Sequence, residues 1–427
     1  VVERLPGSSL APNALYGLAW SQLGSRDFAG AVTTLDTLVA KYPQSELAAR
    51  ARYARALARE ELKQFAPAVE DLQAFLQTNP SGTDKADARY VLGLCQAGLN
   101  QTEEAARIFR AILDESPAYA GADKVLYELA WTLMSLDQSE EALQTFRRLA
   151  KEHPASPLAA EALYQVAEAE YQAERFAAAT PLYYESMQKA GKTGLGEKAA
   201  HKLGWAYFRQ NAFEKAERSF AYQRSTWPQG SLSADALFME AEALFKQGKF
   251  AAALPFYQQV KNPSGKDFAA LALLRAAQAQ GKLEQWQASL ATLSQAVKQF
   301  TDSEHLPEML YEQAWAKQNL GQSDEALRLY EEVTAQSEGE VAARARFMIG
   351  EIYFEKKNHA EAIKNFFKAA YGYGYPQWQA NAYYEAGRCF EVLGKKDQAV
   401  KSYQEVVEKF PQSDKVALAK SRLDALR

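Results

Sequence analysis

Tyr16, Tyr53, Tyr90, Tyr127, Tyr164, Phe238, Tyr311, Phe347 and Tyr384 recur at one position of a regular spacing, with His201 and Leu274 completing the row. Four residues further on stand Trp20, Trp131, Trp205 and Trp315, interspersed with Leu57, Leu94, Glu168, Glu242 and Glu351. Residues four apart share one helix face, so the two rows form a strip of rings with acidic rungs. Such a strip binds by ring burial: it anchors an extended or hydrophobic peptide or an amphipathic helix, or it stacks on sugar rings. Nine rings exposing ~50 Å² apiece would present roughly 450 Å² of apolar surface, in the range of patches that carry function on soluble proteins. The same rings also suit packing between adjacent helices with their hydroxyls satisfied locally, and the sequence leaves both readings open.

Other chemistry is sparse. His153, His201, His305 and His359 are scattered along the chain, and no HExxH, CxxC, GxSxG or dinucleotide fingerprint occurs, so no metal, nucleophile or cofactor constellation is expected. Gly191-Lys-Thr-Gly194 lacks the upstream glycine and preceding strand of a phosphate-binding loop and reads as an inter-repeat turn. Cys95 and Cys389 are too far apart in a linear stack for an intramolecular disulfide. A net charge of -4, from 49 basic and 53 acidic residues, gives no reason to expect a nucleic-acid partner. No run of 18 apolar residues exists to cross a membrane.

What positions the strip is a repeat. Alanine stands at 31, 68, 105, 142, 179, 216 and 253, a step of 37, then continues as Ser289, Ala326, Ala362 and Ala399, with the step falling to 36 twice. Twelve residues earlier the chain always carries Gly or Ala, from Ala19 to Gly387; four residues later comes a large residue, from Leu35 to Tyr403. Each unit therefore reads as two helices in close approach, with the large residues filling the space between neighbouring hairpins. Within the sixth unit the helices are expected over Glu197 to Phe213 and Glu214 to Thr226. Pro43, Pro80, Pro117, Pro154, Pro228 and Pro411, with Gly191 and Gly265, punctuate the helix ends. Pro181 and Pro255 fall at the start of second helices, where unbonded amides tolerate proline.

This pattern resembles the tetratricopeptide repeat, matched best by Leu203, Gly204, Tyr207, Ala216, Phe220 and Pro228, with Ala200 departing at the first position. The longer period, with junctions such as Pro43-Gln-Ser45 and Pro411-Gln-Ser413, is similar to bacterial envelope members of that family, of the outer-membrane assembly lipoprotein and Tol-Pal coordinator types. The resemblance implies an all-α fold: a right-handed superhelical solenoid of eleven helix-turn-helix units over 12–413, after a leader at 1–11 and before a capping helix at 414–427. It also implies that the two ring rows line the concave groove. Chaperone-binding members clamp a C-terminal carboxylate with Lys and Asn there; Tyr, Phe, Trp and Glu at these positions argue against that use.

The expectation is thus a non-catalytic scaffold holding a protein or peptide along that groove, in a periplasmic or envelope complex, with the cytoplasm as the alternative. A glycan- or peptidoglycan-binding module, or a regulatory array whose catalytic domain lies outside this chain, are the competing readings. With neither initiator Met nor signal-peptide pattern at Val1–Ala11, the chain reads as a fragment whose membrane association would come from missing upstream sequence. Pitch changes are expected near 190–197 and 261–267. Arg52, Arg55 and Arg59 suggest local pairing with acids such as Glu60 and Asp71, or a basic stripe. Tyr371, Tyr373, Tyr375 and Trp378 are a second candidate surface, or a staple between the tenth and eleventh units.

Overall fold

The 37-residue alternation folds as expected into helical hairpins. The computed structural model describes residues 8–260 and 266–426, so part of the leader, Gly265 and most of the 261–267 junction lie outside the described residues. The chain divides into two compact units, one up to Gln210 and one from Asn211. The first holds α1 (Ala11–Gly24), α2 (Phe28–Lys41), α3 (Leu47–Glu61), α4 (Phe65–Leu76), α5 (Gly82–Gly98), α6 (Thr102–Glu115), α7 (Ala122–Ser135), α8 (Ser139–Glu152), α9 (Ala159–Gln172), α10 (Phe176–Ala190) and α11 (Gly194–Arg209). The second holds α12 (Phe213–Thr226), α13 (Ser233–Lys246), α14 (Phe250–Gln259), α15 (Lys266–Lys282), α16 (Trp286–Gln299), α17 (Leu306–Asn319), α18 (Ser323–Gln336), α19 (Glu340–Glu355), α20 (His359–Gly372), α21 (Pro376–Val392), α22 (Lys396–Lys409) and α23 (Val416–Ala425). Among the described residues there is no strand. Within each unit helices touch their nearest neighbours in sequence, and successive first helices, α3 on α5 or α17 on α19, also meet one another. That places the first helices on the tighter side of each stack.

The small row and the large row make the core. Ala19, Ala56, Ala130, Ala167, Ala241 and Ala314 are fully buried, as is every large residue from Leu35 to Tyr403. Where the small residue is glycine, the large ring presses on it within the same hairpin. A Cβ on Gly93, Gly350 or Gly387 would sit 2.4, 2.5 or 2.6 Å from Phe109, Phe366 or Tyr403, so glycine there is a packing requirement.

Every hairpin turns through one residue in the left-handed region, at Arg26, Lys63, Asn100, Asp137, Glu174, Asn211, Gly248, Glu284, Gly321, Lys357 and Gly394. The next residue's amide then reaches back five residues, as Gln64 N to Arg59 O (2.8 Å) and Lys395 N to Phe390 O (2.8 Å), closing first helices with the Schellman bond. This moves the sixth turn to Gln210–Ala212, several residues before the boundary expected from the sequence. Pro181 lies in the second turn of α10, beyond the unbonded amides. The Ala177 carbonyl that it deprives of a donor receives one from Thr180 Oγ1 at 3.1 Å.

The arginines of the second repeat separate in role. Arg55 and Arg59 both donate to buried Asp71, at 2.5 and 2.8 Å, and Arg55 reaches Asp36 at 2.6 Å. Glu60 is not their partner. At the C-terminal end α23 follows α22 as the expected final helix, with Ala419 buried. Thr193 caps α11 by accepting from Gly196 N, so the Gly-Lys-Thr stretch is a helix start.

Candidate functional site

The aromatic row is shared between core and surface. Its rings lean on the second helix: Tyr53 stacks on Phe75 at 5.2 Å, Tyr90 meets Phe109 at 6.2 Å, and Tyr164 meets Tyr183 at 5.8 Å. Phe347 lies 5.4 Å from Phe366. Phe238, Tyr311 and Tyr384 are only 7%, 5% and 8% exposed. Their expected contribution as open rings is corrected accordingly: each is mainly a staple between the helices of one hairpin. Tyr16, Tyr53, Tyr90, Tyr127, Tyr164, Trp131, Trp205, Trp315 and Phe347 are half-buried, and Trp20, 44% exposed, has Tyr16 at 6.2 Å as its ring neighbour.

The tryptophans differ in what already occupies them. Trp131 meets Tyr127 and Phe146 edge-on at 6.2 and 5.6 Å. Trp205 donates from its indole to His201 Nε2 at 3.1 Å and packs against Phe208 at 6.0 Å. The acidic rungs are likewise engaged. Tyr183 donates to Glu168 and Tyr257 to Glu242, at 2.5 Å in the second pair, while Lys202 and Arg275 approach the same carboxylates at 2.9 and 3.2 Å. Glu168 and Glu242 are therefore seats for buried tyrosine hydroxyls, and burial with that hydrogen bond raises both phenols well above their usual range.

One place on the first-helix side of the second unit gathers rings without occupying them. Tyr311 and Trp315 of α17, Trp286 at the start of α16 and Phe245 of α13 line a cavity of about 550 Å³, with Arg344 of α19 and Lys282 of α15 at its edge. That is the size at which small ligands and peptide side chains are held. Arg344 lies over the Tyr311 ring, 4.1 Å from its centre, and donates to Glu308 at 2.8 Å. Glu312 accepts from Gln278 at 3.1 Å, and burial raises its pKa. The indoles of Trp286 and Trp315 make no hydrogen bond and stack on no ring among the described residues. The site thus offers two half-buried indoles without hydrogen-bond or stacking partners, a fixed guanidinium and a half-buried carboxyl. Nothing in it resembles a nucleophile–base pair, and no group of metal-ligating side chains exists among the described residues.

Tyr311 and Trp315 were legible as ring-row members; Phe245, Trp286, Arg344, Lys282, Glu312 and Gln278 were not. Trp286 carried a usable signal, since it stands where Phe28, Phe65, Phe176, Phe213 and Phe250 begin other second helices. Arg344 carried none, because its repeat position holds a charged or amide residue in nearly every unit. Of the Tyr371 group, Trp378 is a staple: it contacts Phe347 at 5.6 Å and donates to Glu340 at 3.1 Å.

Family models for the tetratricopeptide repeat match residues 99–166, 201–266, 271–303, 311–377 and 381–413. Together these segments cover more than half of the chain, and they sit on the observed hairpins. The chain is a tetratricopeptide-repeat protein. A model described as outer membrane lipoprotein matches residues 9–118 of this repeat protein, so it resembles bacterial envelope members of the family. No curated protein matches it. Among solved structures, the apo form of RapI is similar at a TM-score of 0.47 and 12% identity, over 76% of this chain and 96% of that one; a likeness at this level says nothing of function. Tetratricopeptide arrays are protein-interaction scaffolds, and the repeats support protein partners for this chain. No helix among the described residues is long and apolar enough to cross a membrane.

Proposed function

We propose that this tetratricopeptide-repeat protein is a non-catalytic scaffold that holds an extended or amphipathic segment of a partner protein on its first-helix face, in a complex of the bacterial cell envelope. The observation that carries the reading is the cavity between α15, α17 and α19, where Trp286 and Trp315 stand half-buried beside Arg344. An aromatic or large aliphatic side chain filling it would be buried against two indoles, the kind of central anchor that dominates measured interfaces. Arg344, oriented by Tyr311 and Glu308, would take a backbone carbonyl or a carboxylate of the same segment. The half-buried Tyr53, Tyr90, Tyr127, Trp131 and Tyr164 in the first unit support a second stretch of the same kind. The envelope assignment is supported by the outer membrane lipoprotein match over residues 9–118.

A photo-crosslinking residue at Lys282, at the edge of the cavity, tests this directly. Full-length protein should capture one envelope protein from whole cells, and Trp315→Ala with Trp286→Ala should abolish that capture while leaving helicity intact. Binding driven by ring burial is expected to change little between 50 and 500 mM salt. Capture that survives the double substitution, or retention on isolated cell-wall sacculi in place of protein capture, would sink the proposal.

A further inference from the structure

A second surface of the same unit carries charge that its own fold does not use. The residue just before the aromatic row is Leu15, Leu126, Leu163, Leu237, Leu273 or Leu310 in six of the eleven units, but in the tenth it is Arg346. Arg346 is half-buried in α19 and aims across to α18 and α20. It donates to Thr334 Oγ1 at 2.8 Å and to Asn365 Oδ1 at 3.3 Å, both neutral. Those partners are themselves fixed: the Thr334 hydroxyl donates to the Glu331 carbonyl at 2.9 Å, and Asn365 Nδ2 to the Glu361 carbonyl at 2.9 Å. No carboxylate lies within ion-pairing distance of Arg346 among the described residues, in contrast to Arg89 at the same repeat position, which pairs with Glu115 at 2.6 Å.

The guanidinium lines an open crevice of about 1170 Å³ together with Lys364, Lys368, Tyr371, Tyr373 and Tyr375. Among the described residues Lys364 meets only half-buried Glu361, at 3.4 Å, and Lys368 meets no acid; the sole carboxylate on the lining is Glu338. Tyr371 stacks on Phe367 at 5.7 Å and meets Tyr383 edge-on at 5.7 Å, yet remains 71% exposed. A ring held from two sides while showing most of its surface to solvent is placed for contact. A half-buried arginine with no counter-charge is costly unless an anion completes it.

We infer that the Arg346 crevice between α18, α19 and α20 is a second docking site, taking an acidic peptide segment of a partner protein: a carboxylate on Arg346, flanking acids on Lys364 and Lys368, and an apolar residue on Tyr371. A bare inorganic anion would satisfy Arg346 alone and leave the tyrosines and most of the crevice unused, which favours the peptide. The site is independent of the Trp315 cavity.

The test is fluorescence anisotropy of full-length protein with a fluorescein-labelled peptide of alternating Glu and Leu, its Gln–Leu counterpart and inorganic phosphate. Expected are binding of the acidic peptide, at least tenfold weaker binding of the Gln peptide, and at least tenfold weaker binding by Arg346→Leu. That variant restores the residue six other units use and should keep or raise Tm. Unchanged affinity in Arg346→Leu overturns the inference. So does displacement by low-millimolar phosphate, which would make this a simple anion site. Absence of peptide binding together with a lowered Tm in Arg346→Leu would make the guanidinium a structural clamp and overturn it equally.

Discussion

Glu351 is the acidic rung that lacks its tyrosine. In the units where the first helix carries Glu168 or Glu242, the second helix answers with Tyr183 or Tyr257, whose hydroxyl donates to the carboxylate. Where the first helix carries Leu94, Trp131 or Trp205, the second carries Phe109, Phe146 or Phe220. The tenth unit mixes the two, setting Glu351 in line with Phe366, and the buried Oε1 of Glu351 accepts no hydrogen bond. Burial, then repulsion from Glu385 and Glu355, only partly offset by Arg388 and Lys415, pushes its carboxyl up to about 7. With the folded pKa above the unfolded one, the folded protein holds its proton more tightly, so this residue's contribution to stability falls as pH rises from about 4.5 to about 7 and is flat above. Glu351→Gln should therefore leave Tm almost unchanged at pH 5 and raise stability by about 2 kcal/mol at pH 8. Phe366→Tyr, which supplies the missing hydroxyl in a ring position that Tyr403 already fills beside Gly387, should act in the same direction at pH 8. Both are read by urea unfolding at the two pH values, and a gain of equal size at pH 5 and pH 8 would refute the titration.

At the scale of the element, the hairpin turn decides what the sequence could reveal. All eleven turns adopt the left-handed residue, but only Gly248, Gly321 and Gly394 advertise it; elsewhere the same conformation falls on Arg26, Lys63, Asn100, Asp137, Glu174, Asn211, Glu284 and Lys357. A β-carbon in that region costs roughly 1–2 kcal/mol, which the Schellman bond and the packing of two helices overcome. Lys63 forms no ion pair among the described residues, so Lys63→Gly should relieve the strain and stabilise the protein by about 1 kcal/mol, measured as a shift in urea midpoint at constant m-value. A fall in the midpoint would show that the chain gains more from limiting the unfolded state than it loses in the turn. This is why hairpins, small row and large row were legible, being fixed by residue size at a strict period, while turn boundaries were not: Phe213 was read into the first helix although it opens the second. The site suffered similarly. Ring periodicity located Tyr311 and Trp315, but a period cannot tell which indole is already engaged, as Trp131 is by Phe146, and which faces open space.

At the scale of the molecule, helices within each unit pack chiefly on their nearest neighbours in the chain, with smaller contacts between successive first helices, so stability should be close to a sum of hairpins and the interfaces between them. Excision of residues 100–136 tests this within the first unit. The cut removes one full period and joins Leu99 to Asp137, itself a left-handed turn residue, so that α5 would pair with α8 instead of α6. The new pair is complementary: Phe146 would press on Gly93 as Phe109 does now, since both rings are phenylalanines that bury completely. Helicity per residue should therefore be preserved, while the m-value falls in proportion to the shortened chain and the unfolding free energy drops by one hairpin and one interface. Excision of residues 100–129 is the control. It leaves a stub of α7 out of phase, turns the small row away from Phe146, and should abolish the cooperative transition of that unit. Equal loss in both deletions would mean that the stack depends on contacts beyond nearest neighbours, and an additive repeat could not then be the basis on which individual crevices, such as those at Trp315 and Arg346, diversify without disturbing the rest.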